Sequence, residues 1–293
     1  LPTGNVRRSV LDLRVSLCRR NHRAAPCYTQ DAMIDLHVHI LPGVDDGAAS
    51  PEQALAMATA LVQAGTHTVV ATPHFHDWTR AILPHRGAIA ERVAALRTYL
   101  AEHGVALTVL PGGECFLSPE LIASVQSGDA PGLGDGPYLL VELPIANTVV
   151  HPEYAVAELH RHGATVLLAH AERYPFVQKN PGEALLPLLS CGVAIQVSLG
   201  SLGARAPSGQ RKAAERLLTA GLVHVLASDA HAVRHIETAA ALRGRAADLV
   251  GADNYQLLTE ENPRRVLAGE VALSCAPVEP ASGGSRRWGS FGR

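Results

Sequence analysis

The sequence predicts a parallel α/β fold, and three observations carry that reading. Seven short runs rich in Leu and β-branched residues alternate with helical patterns. Gly104, Gly163, Gly192 and Gly221 each follow a helical pattern and just precede such a run, where a left-handed helix end is expected. Residues that carry chemistry collect after the runs, at the strand end where parallel α/β folds build their sites. Repeated strand–helix units imply right-handed crossovers, and a closed barrel and an open doubly wound sheet both satisfy the periodicity. No G-x-G-x-x-G follows the first strand, which weakens a dinucleotide-binding version.

Residues 1–32 contain Arg7, Arg8, Arg14, Arg19, Arg20 and Arg23 and lack periodicity, so they are expected to be a disordered or mis-called extension before Met33. The first strand, Met33–His37, leads into His39. Ser50-Pro51-Glu52-Gln53 is a capping box with Pro at the first helical position, and Gly65 closes that helix. Thr68–Ala71 is the second strand and runs into Thr72-Pro73-His74. Ala106–Leu110, the third, runs into Gly112-Gly113-Glu114, after which Ser118-Pro119-Glu120 opens another helix. Tyr138–Leu143 carries Glu142. Thr165–Ala169 ends in His170-Ala171-Glu172-Arg173, Ala194–Ser198 carries Gln196 and Ser198, and His224–Ala227 runs into Ser228-Asp229-Ala230-His231. The folded domain is expected over 33–272. The Pro-, Gly-, Ser- and Arg-rich stretch 273–293 is expected to be a disordered tail.

The composition excludes several function classes. At 293 residues, with 47% hydrophobic and 18% charged residues, the chain has a globular composition and is long enough for one α/β barrel. The formal charge is −2, from 25 basic and 27 acidic residues, so there is no basic field to hold a nucleic acid. No run of ~18 apolar residues exists to cross a membrane, and the Arg residues break up any secretory leader. Five scattered Cys without C-x-x-C spacing argue against a zinc knuckle or a disulfide framework and place the chain in a reducing compartment, the cytoplasm. Cys115 reads as a packing residue.

The 15 His are the unusual number. Along a strand, residues two apart share a face, so His37 and His39 can reach one ion, as can Asp229 and His231. The ligand candidates are His37, His39, Asp46, His74, Glu114, Glu142, His170, Asp229 and His231. Nine are too many for one ion and would serve two or three, with bridging carboxylates. Imidazoles mixed with carboxylates suit Mn, Fe, Co or Zn. Glu142, set between Val141 and Leu143, needs a cation or proton, because an unpaired buried carboxylate costs several kcal/mol. Of the remaining histidines, His67, His76, His85, His103, His151, His160, His162, His224 and His235 read mostly as solvated or capping. The loop His76-Asp77-Trp78-Thr79-Arg80 after His74 is a candidate substrate contact.

Met33-Ile34-Asp35-Leu36-His37-Val38-His39 followed by Leu41-Pro42-Gly43-Val44-Asp45-Asp46-Gly47 resembles the opening motif of the PHP superfamily. The Asp-Asp-Gly ending, His170-Ala171-Glu172-Arg173-Tyr174 and Ser228-Asp229-Ala230-His231 resemble the bacterial metal-dependent protein-tyrosine phosphatases of the CpsB/CapC type, linked to capsular polysaccharide, over residues 33 to about 270. The resemblance implies a distorted (β/α)7 barrel. It also implies up to three divalent ions per chain, Mn²⁺ first and Fe, Co, Zn or Mg as alternatives. One ion would take His37, His39, Glu114 and Asp229, a second Glu114, Glu142 and His170, and a third Asp46, His74 and His231. Arg173 matches the family's phosphate-binding Arg, and Arg234 is a looser match to a second.

The implied reaction is hydrolysis of phosphotyrosine in a protein, with a water acidified between the ions attacking phosphorus. The implied substrate is the tail of an autophosphorylating bacterial tyrosine kinase that controls capsular or exopolysaccharide synthesis. Cysteine-based tyrosine phosphatase chemistry is excluded, since no Cys is followed by Arg at the required spacing; Cys18 comes closest, with Arg23 one position too near. A small-molecule phosphatase such as a histidinol phosphatase is the alternative, and Glu142 and Asp46 argue against it. A degenerate binding module would be expected to have lost ligands.

Overall fold

The computed structural model describes residues 33–75, 85–144 and 151–278. The extension 1–32, the loop His76–Arg80 and the end of the tail lie outside them. The chain alternates β1 (Met33–Val38), α1 (Pro51–Gln63), β2 (Thr66–Ala71), β3 (His74–Phe75), α2 (Arg86–Glu102), β4 (Thr108–Pro111), β5 (Glu114–Phe116), α3 (Pro119–Ser127), β6 (Tyr138–Glu142) and α4 (Pro152–Arg161). It continues through β7 (Thr165–Leu168), α5 (Pro175–Lys179), α6 (Pro181–Ser190), β8 (Ala194–Ser198), α7 (Ser208–Thr219), β9 (Val225–Ala227) and α8 (Val233–Val250). The fold is α/β, and every strand pairing is parallel, in the orders β1-β2-β4 and β3-β5-β6-β7-β8-β9.

Seven strands were expected, and nine segments form among the described residues because two strands are broken just before a candidate ligand. Thr72 and Pro73 separate β2 from β3, and Pro73 has no N–H to give the ladder. Gly112 and Gly113 separate β4 from β5. A Cβ on Gly112 would lie 2.5 Å from Val70 Cγ1, and one on Gly113 would lie 2.5 Å from Pro131 Cγ, so only glycine lets the chain pass. The two breaks lie side by side, and the Glu114 amide donates to the Pro73 carbonyl across them at 3.0 Å.

The capping signals work as read. Ser50 Oγ accepts from the Gln53 amide at 3.4 Å while the Gln53 side chain takes the Ala49 amide at 3.0 Å. Gly104, Gly163, Gly192 and Gly221 all have φ between 70° and 85°. His85 caps α2 by accepting the Ala88 amide at 3.1 Å. Residues 273–278, expected to belong to the tail, make defined bonds: the Leu273 amide donates to Asn262 Oδ1 at 2.7 Å and the Val278 amide to the Thr219 carbonyl at 3.0 Å. No helix among the described residues is long and apolar enough to cross a membrane.

The two faces of the strands bury different things. Val69, Val109, Leu139, Val141, Leu168, Ile195, Val197 and Leu226 pack under the helices. Ile34, Leu36, Val70, Leu140, Leu167, Ala194 and Val225 form a second cluster on the opposite face. By the two-residue period, Glu142 shares its face with Leu140 and Gln196 with Ala194. The polar site therefore continues the apolar second cluster toward the C-terminal strand ends.

Candidate metal centre

Glu114, at the start of β5, is the hub. It is 2% exposed, yet four imidazoles approach it. Its Oε2 lies 3.4 Å from His37 Nε2, 3.3 Å from His39 Nε2 and 3.0 Å from His74 Nδ1, and its Oε1 lies 2.7 Å from His170 Nε2. Asp229 Oδ1 lies 3.2 Å from His37 Nε2 and 3.6 Å from both His39 Nε2 and His231 Nδ1. Asp46 Oδ1 stands 3.2 Å from His74 Nε2 and 3.3 Å from His231 Nε2. Glu142 Oε1 is 3.7 Å from His170 Nε2. All nine sequence-nominated ligand residues thus belong to one connected constellation. Among the described residues, three groups have ligand atoms mutually within 4.8 Å: His39, Asp46, His74 and His231; His37, His39 and Glu114; and His74, Glu114 and Glu142. His39 and His74 each belong to two groups, whereas the resemblance assigned each of them to one ion.

The donor set fits divalent cations. Asp45 Oδ2 accepts from His39 Nδ1 at 2.8 Å, which leaves His39 Nε2 as the inward atom. His37 Nδ1 lies 3.3 Å from Gln196 Oε1, which leaves His37 Nε2 inward as well. The two Nε2 atoms face each other at 3.2 Å beside two carboxylates. Neutral imidazoles would put two lone pairs there, so the position calls for a cation, either a proton or a metal ion. Both His74 ring nitrogens are buried without a hydrogen bond of good geometry, despite the nearby carboxylates, as is His170 Nδ1.

The electrostatics point the same way. Burial alone would lower the His39 pKa, but the Asp45 and Glu114 carboxylates raise it to about 10. Burial would raise Glu114, and the imidazoles of His37, His170 and His39 instead hold it well below the usual carboxylate range. Asp229 is lowered as well: His37 and Arg173 outweigh its burial. His231 goes down to about 4, through burial and then the charge of stacked His39.

Arg173 sits beside these candidate ligands, a third exposed, and its Nη2 donates to Asp229 Oδ2. Gln178 Nε2 holds the Arg173 and Glu172 carbonyls at 3.1 Å each. Arg234, in the first turn of α8, is exposed. Its charge and that of Arg173 both reach His235, whose pKa is lowered first by burial. His235 Nδ1 accepts the His231 amide at 3.1 Å, so this residue supports the site instead of being solvated. Two candidate ligands have strained backbones, His170 with φ 31° and Asp229 with φ 53°, a conformation that non-glycine residues adopt where surrounding bonds hold it. The Asp229 amide donates to the His37 carbonyl at 2.9 Å.

Sequence reading missed a supporting layer. Asp35, fully buried, accepts the His37 amide at 3.2 Å and the Ser228 amide at 3.1 Å, and its pKa is still raised by burial. Asp45 holds His39, Gln196 holds His37, and Glu172 takes the Ser201 hydroxyl at 2.5 Å and the Ser198 amide at 3.3 Å. The Tyr174 hydroxyl accepts the Leu143 amide at 2.9 Å, next to Glu142. A polar residue in an otherwise apolar strand was the available signal for Asp35 and Gln196. Cys115 is fully buried and its thiol pKa is pushed up by burial, as a packing residue requires.

Comparison with known proteins agrees with this geometry. The chain is 34% identical over 202 residues to the tyrosine-protein phosphatase YwqE of Bacillus subtilis, covering 69% of this chain and 78% of that one. It is 25% identical over 248 residues to the tyrosine-protein phosphatase CpsB of Streptococcus pneumoniae, covering 82% of this chain and all of that one. A crystal structure from work on YwqE and CpsB, described as metal-dependent tyrosine phosphatases, superposes with a TM-score of 0.74 at 30% identity, covering 85% of this chain and 100% of that one. Residues 33–268 match the family described as capsular polysaccharide synthesis, CpsB/CapC, and the chain belongs to that family.

Proposed function

We propose that this protein is a metal-dependent tyrosine-protein phosphatase whose ions are held by His37, His39, Asp46, His74, Glu114, Glu142, His170, Asp229 and His231. The observation that carries the reading is the convergence of four imidazoles on Glu114 with Arg173 beside them. The relatives' names supply the substrate class. When bound, divalent ions supply an acidified water and neutralise phosphoryl charge. The chain's own residues do the rest. Arg173, anchored through Asp229, offers its remaining donors to the phosphoryl oxygens in a fixed plane. Arg234 adds charge at the mouth. A phenolate leaves with a pKa of ~10, so no strong general acid is required of the protein.

The strands are best read as a closed, distorted seven-stranded barrel. Val38 bridges Ala230, and the His39 amide donates to the Ala230 carbonyl at 2.9 Å, which links the first strand to the last. The second apolar cluster is built mainly from strand residues, as a barrel interior is. We take Mn²⁺ as the first ion to test, a tyrosine kinase of polysaccharide export as the substrate, and the cytoplasm as the compartment.

The test is turnover of a phosphotyrosine peptide, a phosphoserine peptide and histidinol phosphate, each with Mn²⁺ and with EDTA. Mn²⁺-dependent, EDTA-sensitive preference for phosphotyrosine is expected. Preference for histidinol phosphate would move the protein to small-molecule chemistry, and EDTA-resistant turnover would overturn the metal reading.

A further inference from the structure

We propose that the loops leaving β8 and β9 dock an acidic stretch of the substrate protein beside its phosphotyrosine, with Arg205, Arg211, Lys212 and Arg234 as the surface that reads it. The inference rests on the phosphatase reading above and names the kind of polypeptide that site selects.

These residues form one surface continuous with Arg173. Gln178 Nε2 holds the Arg173 carbonyl at 3.1 Å. A Cβ on Gly209 would lie 2.5 Å from Gln178 Oε1, so α7 begins against the segment that carries Arg173. Arg211 Nη1 donates to the Ala204 carbonyl at 3.4 Å, which ties α7 to the loop that carries Arg205. A Cβ on Gly203 would lie 3.3 Å from Leu242 Cδ1, so the same loop rests on α8. Arg234 is the second residue of α8. Arg205, Lys212 and Arg234 are exposed, and Arg211 is half-buried.

The charge of this surface is uncompensated. Arg161 and Arg245, exposed elsewhere, pair with Glu158 and Glu215. Among the described residues, Arg205, Arg211, Lys212 and Arg234 make no ion pair. The carboxylates after the neighbouring strands, Glu172 and Asp229, are buried and bonded to Ser201 and Arg173. Glu237, one turn after Arg234, lines the groove between α8 and α1. The placement also runs against what folding favours. A helix start favours negative charge, and α1, α3, α4 and α6 each carry a glutamate in the first turn. α7 and α8 carry none and set Arg211, Lys212 and Arg234 near that end. An incoming row of carboxylates offsets that repulsion. With a net charge of −2 over the whole chain, the attraction is local to this face. A phosphotyrosine held at Arg173 brings its own polypeptide across it.

The test compares phosphotyrosine peptides of equal length, flanked by Glu, by Gln or by Lys, on the Mn²⁺-loaded full chain. The Glu peptide should exceed the Gln peptide in kcat/KM by about three- to thirty-fold, as a few exposed ion pairs would give, and the Lys peptide should fall below both. The advantage should lie in KM, because flanking contacts are alike in the ground and transition states. It should shrink to about two-fold in ~0.5 M NaCl, where exposed charges are screened. Arg205→Gln combined with Lys212→Gln, two exposed positions, should bring the Glu-to-Gln ratio to about two-fold or less. Equal kcat/KM for the three peptides overturns the proposal, as does a ratio that the double substitution leaves unchanged. Absence of turnover with all three, in a chain that has bound Mn²⁺, overturns the phosphatase reading itself, a different failure.

Discussion

Arg173 and Asp45 show what single residues contribute. Arg173 donates through one nitrogen to Asp229, and the proposed function uses the rest of its fork for the phosphoryl group. A lysine would supply charge but no fork. Arg173→Lys is expected to lower kcat/KM on a phosphotyrosine peptide about ten- to a hundred-fold, the value of one charge-assisted hydrogen bond, while Mn²⁺ per chain stays the same. Unchanged kinetics would remove Arg173 from phosphate binding. Asp45 and Asp46 are adjacent and chemically identical, yet their side chains are 0% and 52% exposed. The resemblance singled out Asp46. The role of Asp45 was not legible, because it depends on which carboxylate the turn directs behind His39.

The turn that carries these two aspartates illustrates how an element builds the site. The Gly47 amide donates to Asp45 Oδ1 at 2.9 Å and the Ala48 amide to the His39 carbonyl at 3.1 Å, folding the turn back onto β1. A Cβ on Gly47 would lie 2.1 Å from the His39 carbonyl oxygen, far inside contact distance. Gly47→Ala is therefore expected to cost roughly 1–3 kcal/mol, as an overpacked site does, and to displace Asp46. Thermal melts and Mn²⁺ content check both; a wild-type melt with full metal would show that the turn yields freely. The strand breaks at 72–73 and 112–113 belong to the same scale. Pro73 and the Gly112-Gly113 pair stand in plain view, but that they sit in register, so that β3 and β5 carry His74 and Glu114 side by side, required the pairing.

Over the whole molecule, the ladder between β8 and β9 contains a titrating link. His224, read as a solvated or capping residue at a strand start, is 7% exposed, and its Nδ1 accepts the Ile195 amide at 3.1 Å. Burial lowers its pKa from 6.5 to about 4. The unfolded chain binds the proton first as pH falls. The contribution of His224 to stability is thus complete above about pH 6.5 and is lost as pH falls toward about 4. The shift corresponds to about 3 kcal/mol. Urea unfolding in EDTA at a series of pH values should show wild type losing that much more than His224→Gln between neutral pH and pH ~4. Parallel profiles would mean that His224 is not buried neutral.

Period and punctuation were enough for the parallel α/β class, because strand and helix periodicities and glycine helix ends are local properties of the chain. The nine ligand candidates were legible for a related reason: a strand's exit is a local landmark, and H-x-H spacing places two side chains on one face. Tertiary structure alone decided the rest. It decided that Asp35 would bind the amide of Ser228, 193 positions away, and that Gln196 would reach both His37 and His170. It also put His39 and His74 within reach of two ligand groups each. Those outcomes depend on register and on which strand ends meet across the sheet, and no local pattern in the chain encodes a distance between residues so far apart.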